Sequence, residues 1–153
     1  MRLNILPALC LLMITSACNT APAPKTIGLK QEKLAPCPDK PNCVGSMYPE
    51  DSAHYLAPWQ LAVKGEVAMK KLQQILSETN KVELPTAQED YLHAVFTIPV
   101  FGFKDDVEFY LPPEGGLLHF RSASRVGHSD LGVNKRRIEK LAQMMAREGA
   151  IEL

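Results

Sequence analysis

The stretch from Arg121 to Arg137 holds the densest set of chemically capable side chains in this chain of 153 residues. It reads Arg121-Ser-Ala-Ser-Arg-Val-Gly-His-Ser-Asp-Leu-Gly-Val-Asn-Lys-Arg-Arg137 and carries five Lys/Arg. Arg121 and Arg125 can each grip a carboxylate or phosphate through two parallel N–H bonds, which a lysine cannot do. Ser124, Ser129 and Asn134 add neutral polar groups, and Arg137 a further guanidinium. The pattern passes from a strand through a Gly-punctuated turn into a helix, so the free N–H groups of a helix start should lie beside these side chains and suit an anion. Lys135, Arg136 and Arg137 fall in the opening turns of that helix, where the terminal partial charge favours acidic residues instead. A local rule broken without evident compensation is a mark of function. The expected ligand site is therefore Arg121, Ser124, Arg125, Ser129, Asn134 and Arg137, facing an anionic or polar ligand.

Other chemistries fit less well. Asp106 and Glu108 form an acidic pair two residues apart on one strand face, roughly 7 Å between Cα atoms. Such carboxylates could act as acid and base on a cell-wall or glycan substrate. Arg121 placed opposite Glu108 would keep that carboxylate ionised, which suits an ion pair better than a general acid. Ser122, Ser124, His128 and Asp130 are close in sequence, but triads assemble in space and no Gly-x-Ser-x-Gly elbow is present. The four histidines are scattered, with no His-Glu-x-x-His and no acidic calcium loop, so neither a metal nor another cofactor is expected. A binding or scaffold role is the preferred reading, with an envelope hydrolase working through Asp106 and Glu108 as the alternative.

The elements that must position these residues follow from periodicity. Ala68, Leu72, Ile75 and Leu76 form an apolar stripe on a helix spanning about 64–79. Val82–Leu84 is a short strand stopped by Pro85, and Tyr91–Ile98, Phe103–Leu111 and Leu117–Ser124 alternate as strands. Pro112 to Gly116 is a hairpin turn. A last helix over about 131–148 carries Ile138, Leu141, Met144 and Met145 inward and stops at Gly149. The order α-β-β-β-β-α predicts an α+β domain, an antiparallel meander of about four strands with both helices on one face. Matching apolar parities sets Asp105 beside Ser124 and Phe96, on the helix-covered face, where a carboxylate needs donors. Its expected partners are Ser124 and the Arg125–Asp130 turn, so Asp105, Asp130 and the arginines could form a buried structural clamp instead of a ligand site. The other face receives the rows His93–Glu108–Arg121 and Tyr91–Tyr110–His119. It reads as solvated, with Asp106 pointing outward.

The N-terminus points to a compartment. Residues 1–17 carry one basic residue, Arg2, and an apolar run, which is the layout of a signal peptide. Ser16-Ala17-Cys18 resembles the lipobox of bacterial lipoproteins, apart from Thr15 where an aliphatic residue is usual. This implies a lipidated Cys18 as the first mature residue and a membrane partner through that anchor. Asn19 after the cysteine implies, by the same resemblance, the outer membrane of a Gram-negative bacterium, facing the periplasm. Residues 18–35 are Pro/Ala/Lys/Gln-rich and read as a flexible tether, leaving 36–153 as one globular domain. The chain has 17 Lys/Arg and 17 Asp/Glu, so losing Arg2 leaves 16 against 17. That balance speaks against nucleic acid as a partner. Cys37 and Cys43, six apart with prolines between, most simply form a disulfide in an oxidising periplasm, a metal pair being the alternative.

Three segments together resemble a known family. They are Cys37-Pro-Asp-Lys-Pro-Asn-Cys43-Val-Gly-Ser46, Phe101-Gly-Phe-Lys-Asp-Asp-Val-Glu-Phe109 and Arg121 through Asn134 with Arg137. They are similar to the family catalogued as domain of unknown function 1499, over nearly the whole mature domain. Asp105, Asp106, Glu108, Arg121, Ser122, Ser124, Arg125, Gly127, Ser129, Asp130, Gly132, Asn134 and Arg137 fall on its motif positions. The resemblance implies bacterial lipoproteins, secreted proteins and plastid members, and it implies no activity. On the anchoring expectation, Cys18→Ser should move the protein from membranes to the soluble envelope fraction or block its processing. Membrane fractionation checks this, and an unmodified mature N-terminus in the wild type would remove the idea.

Overall fold

The computed structural model describes residues 22–99 and 101–153. The leader over residues 1–17 and Cys18 lie outside the described residues. The elements run β1 (Cys43–Gly45), β2 (Trp59–Gln60), α1 (Gly65–Glu78), β3 (Val82–Ala87), β4 (Tyr91–Thr97), β5 (Lys104–Tyr110), β6 (Leu117–Ser124) and α2 (Val133–Arg147). This is the expected α+β order, with the four-strand meander between the two helices. β1 and β2 are additions too short to leave an alternating signature. The sheet order is β1-β6-β5-β4-β3, with β2 also paired to β6, so β5 sits at the centre. β3 continues past Pro85, where a stop was expected. It is the edge strand, and its register shifts between Glu83 and Thr86, which lets the proline sit without a ladder N–H.

Alternation and helical stripes meet on one face of the sheet. Ala68, Met69, Leu72, Ile75 and Leu76 of α1 and Ile138, Leu141, Ala142 and Met145 of α2 bury against Leu92, Ala94, Val107, Phe109, Leu118 and Phe120. Trp59 of β2 closes this core, its ring centroid 5.5 Å from that of Phe109 and 5.3 Å from that of Phe120. α1 begins at Gly65 because a Cβ there would lie 2.5 Å from a Leu111 methyl. The register matches the parity argument. Asp105 lies between Phe96 and Ser124, Glu108 between His93 and Arg121, and Tyr110 between Tyr91 and His119.

The second face is not solvated. Leu34 is buried with Tyr91 and Tyr110, and Leu29 and Met47 pack against them as a separate small core. The Gly28 N–H donates to Glu108 Oε1 at 2.9 Å. Residues 27–35, read as tether, thus lie along the sheet. The segment has no regular structure, and its apolar residues Ile27, Leu29, Leu34 and Ala35 follow no sustained helical or alternating period. The Cys37–Cys43 disulfide then ties it to β1, as the spacing suggested. With helices on one side and this segment on the other, the middle of β5 is buried on both faces. That is where the carboxylates sit.

Candidate functional site

On the helix face the polar residues converge on α2. Asp105 is 2 % exposed and accepts a hydrogen bond from Arg137 Nη2 at 2.5 Å. Arg137 Nη1 donates to Asn134 Oδ1 at 2.6 Å and Ser122 Oγ at 3.1 Å, while its guanidinium lies 4.7 Å from the Phe96 ring centroid. Asn134 is fully buried, and its amide nitrogen lies within hydrogen-bond reach of the Asn42 carbonyl, Ser124 Oγ and Asp130 Oδ2. Ser122 donates to Asn134 Oδ1 at 2.6 Å. One asparagine therefore links the loop before β1, strand β6 and helix α2. Asp130 accepts from the backbone N–H of Gly132 at 2.9 Å and of Asn134 at 2.7 Å. Gly132 can take the positive φ of 78° that this turn requires.

On the second face two ion pairs lie side by side. Asp106 receives Arg125 Nε and Nη2, both at 2.8 Å, and His93 Nε2 lies 2.8 Å from its Oδ1. Glu108 accepts from the Tyr91 hydroxyl at 2.7 Å, the Gly28 N–H at 2.9 Å and Arg121 Nη1 at 3.2 Å. Asp106, Glu108 and Arg121 are all buried. Burial alone would raise the Asp106 carboxyl, but hydrogen bonds from His93 and Arg125 and their charges hold it below the ordinary carboxylate value. The same hydrogen bond raises Arg125. Burial, then the neighbouring Glu108 charge and hydrogen bond, push the Tyr91 hydroxyl far above its ordinary value. Glu108 is saturated with donors and Asp106 is held as a carboxylate, so neither is set up to deliver a proton to a leaving group.

A cavity of about 330 Å³ opens beside these pairs. Pro24, Thr26 and residues of the 36–42 segment form one wall, and Asp106, Arg121, Ser124 and Arg125 line the other. Two of its lining residues, Arg121 and Asn42, each carry a buried polar atom with no hydrogen-bond partner among the described residues, Nε and Oδ1 respectively. The side chain of Tyr48 lies on the far side of Arg121, where its hydroxyl accepts from the Cys37 N–H. Burial raises the Tyr48 hydroxyl while the Arg121 charge opposes it.

The six residues expected to form one ligand site are divided by the sheet. Arg121 and Arg125 pair with the acidic residues of the second face, whereas Asn134 and Arg137 belong to the network on the helix face. Ser124 contributes to both, since it bonds Asn134 and borders the cavity. Ser129 is exposed and accepts from the Leu131 N–H at 3.2 Å. Three expectations need correction. Asp105 pairs with Arg137 and not Arg125, because α2 lies over the face to which Asp105 points. Asp106 is buried and paired, because residues 27–42 and the Arg125 side chain cover it. The helix start offers an anion less than expected, because Asp130 takes the N–H groups of Val133 and Asn134. Asp130 thus caps α2, and Asn134 and Arg137 link it to Asp105 in one buried network between α2 and the sheet. Sequence reasoning missed the roles of Asn42, Ser122, His93, Tyr91 and Gly28. His93 and Tyr91 had a signal, their rows across from the acidic strand; Gly28 acts through its backbone N–H, which carries none, and Asn42 through its carbonyl to Asn134 and its side-chain amide to the Gly127 carbonyl.

A family model described as protein of unknown function, DUF1499, matches residues 33–145. No curated protein matches the chain.

Two predictions follow from the pairing. Asp105→Ala and Asp106→Ala should each destabilise the fold by on the order of 3 kcal/mol, since each removes the buried carboxylate of an arginine pair. In urea midpoints, Asp105 should couple strongly to Arg137 and be nearly additive with Arg125; equal coupling to both would refute the assignment. The second concerns acid. An Asp106 carboxyl lowered on folding means that the unfolded chain binds the proton first as pH falls. Its contribution is full above the unfolded carboxyl value near ~4 and is lost as pH drops through the lowered folded value. The stability gap between wild type and Asp106→Asn should then be flat from neutral pH to about 5 and shrink below about 4. Melting temperatures across that range test it, and a gap that stays constant into acid would contradict it.

Proposed function

The chain belongs to the DUF1499 family of proteins of unknown function, a membership that assigns no activity, and from the geometry we propose a binding module of the bacterial envelope. Its ligand is a small polar anion held in the cavity between the N-terminal segment and the second sheet face. The reading is carried by Arg121 Nε, a buried guanidinium N–H that finds no acceptor among the described residues. A buried donor of this kind costs free energy until an acceptor reaches it. Asn42 Oδ1 asks for a donor in return, so the ligand that fits has both an acceptor and an N–H or O–H.

Charge supports a single negative charge on that ligand. Among the described lining residues, Arg121 is paired with Glu108 and Arg125 with Asp106, and Lys40 at the rim is a cation without an ion pair among them. The volume lies at the lower end of the range for small-molecule sites. Envelope location and the lipid on Cys18 belong to this same proposal. They rest on the signal-like leader and the Ser16-Ala17-Cys18 motif. The hydrolase alternative has no comparable support, because both of its carboxylates are committed to arginines.

The test is a thermal-shift screen of the mature chain against small carboxylates and phosphate monoesters at millimolar concentration. At least one hydroxy- or amino-substituted monoanion should raise the melting temperature. A ligand at 100 times its Kd would add about 2.7 kcal/mol. Arg121→Lys keeps the charge facing Glu108 but removes the Nε–H, and should abolish that shift. If no anion stabilises the protein, or Arg121→Lys responds as the wild type does, the proposal fails.

A further inference from the structure

At the end of the sheet where β4 and β5 join and β6 leads into α2, apolar side chains stand in solvent. Leu131 is 84 % exposed and Phe101 66 %, with Phe103 and Val126 also open. They rim a cleft of about 440 Å³. The Phe101 and Phe103 rings stack with centroids 5.4 Å apart, and the turn beneath them is closed by Gly102 N–H to Ile98 O. Leu131 takes a positive φ of 53°, an unfavourable backbone for a leucine, and Arg136 Nη1 donates to its carbonyl. Exposed large apolar residues gathered at one end of a domain mark an interaction surface.

The charge beside them identifies the partner. Lys81, Arg136 and Lys140 line an adjoining groove that shares Ile98 and Val133 with the cleft. None of these three cations is in an ion pair among the described residues. Arg136 and Lys140 stand four apart on one helix face, a like-charge spacing that weakens a helix in water. Apolar side chains that project beyond a cluster of unpaired cations match the headgroup boundary of an anionic bilayer. The first described residues also lie near this end. Pro24 and Thr26 share a cavity wall with Val126 and Gly127, which border the apolar cleft as well. Cys18 lies six residues before Pro24, a span of at most about 20 Å when extended.

We infer that this end of the domain docks on an anionic phospholipid surface, with Phe101 and Leu131 inserting and Arg136 and Lys140 meeting the headgroups. The contact goes beyond the anion site and is independent of a lipid on Cys18. It is therefore tested in the mature chain carrying Cys18→Ser, by co-sedimentation with vesicles. Vesicles of phosphatidylglycerol and phosphatidylethanolamine should bind the protein, phosphatidylcholine vesicles should not, and added salt should weaken binding. Phe101→Ser with Leu131→Ser should reduce binding at least tenfold without lowering the melting temperature, since both side chains are exposed. Arg136→Gln with Lys140→Gln should remove the preference for phosphatidylglycerol. No binding to anionic vesicles, or parent-like binding by the Phe101/Leu131 variant, would overturn the inference. So would a dimer in sedimentation velocity that the same variant dissolves, because the surface would then belong to a second copy. None of the four substituted residues lines the Arg121 cavity, so failure here leaves the anion reading standing, and the reverse holds.

Discussion

Three carboxylates on the central strand, Asp105, Asp106 and Glu108, govern how the rest of the domain is arranged. They alternate between the two faces of a sheet that is covered on both sides, so none can rely on water. Each is met by an arginine from a different position: Arg137 from α2, Arg125 from the end of β6, Arg121 from within β6. A buried pair of this kind adds little stability over a well-packed apolar pair, yet losing one partner is expensive. Its effect is therefore on geometry. The Asp105 pair fixes the angle of α2 against the sheet, the Asp106 pair fixes the turn after β6, and Glu108 takes the Gly28 N–H that holds the N-terminal segment down.

That dependence explains which parts of the structure were legible in the sequence. Strand parity gave the register through β4, β5 and β6, because one face had to be apolar and a slip of one residue would have reversed it. The register even contained the ion pairing. Ser124 lies beside Asp105 on the helix face, so Arg125, the next residue, must point to the opposite face, where Asp106 lies. Assigning Arg125 to Asp105 followed closeness along the chain and ignored that alternation. Arg137 could not be paired by parity, since the height of a helix over a sheet is set by packing and leaves no pattern in the sequence.

The cover on the second face was illegible for a different reason. Residues 22–42 bury Leu34, Ala35 and Asn42, pack Leu29 beside Leu34, and otherwise engage the domain largely through backbone groups and a disulfide. Hydrogen-bonding backbone is common to every residue, so a strap built on it looks like a linker. The composition that suggested a tether is real; what it cannot report is that two tyrosines on the sheet, Tyr91 and Tyr110, offer an apolar seat to Leu34 and, beside it, Leu29. The basic start of α2 likewise separates into parts. Arg137 is consumed by Asp105, and Asp130 supplies the negative charge that the helix start lacks in its own first turn. Arg136 and Lys140 alone stay unexplained by the fold.

The strap and the cavity it roofs are therefore energetically linked. Local opening is easiest where few apolar contacts are buried, and residues 22–35 bury only Leu34 and Ala35, fewer than β4, β5, β6 or either helix. Lifting this segment would take the Gly28 donor from Glu108, leaving Arg121 and the Tyr91 hydroxyl to hold a carboxylate newly exposed to water. It would also remove the wall that Pro24 and Thr26 give to the cavity. A molecule bound against Arg121 Nε touches both the sheet and the strap, so it adds contacts only to the closed arrangement and stabilises the strap by the same free energy that the closed strap adds to binding. The three β5 carboxylates thus set more than the fold: through Glu108 they set how firmly the one irregular segment is held, and with it the completeness of the site.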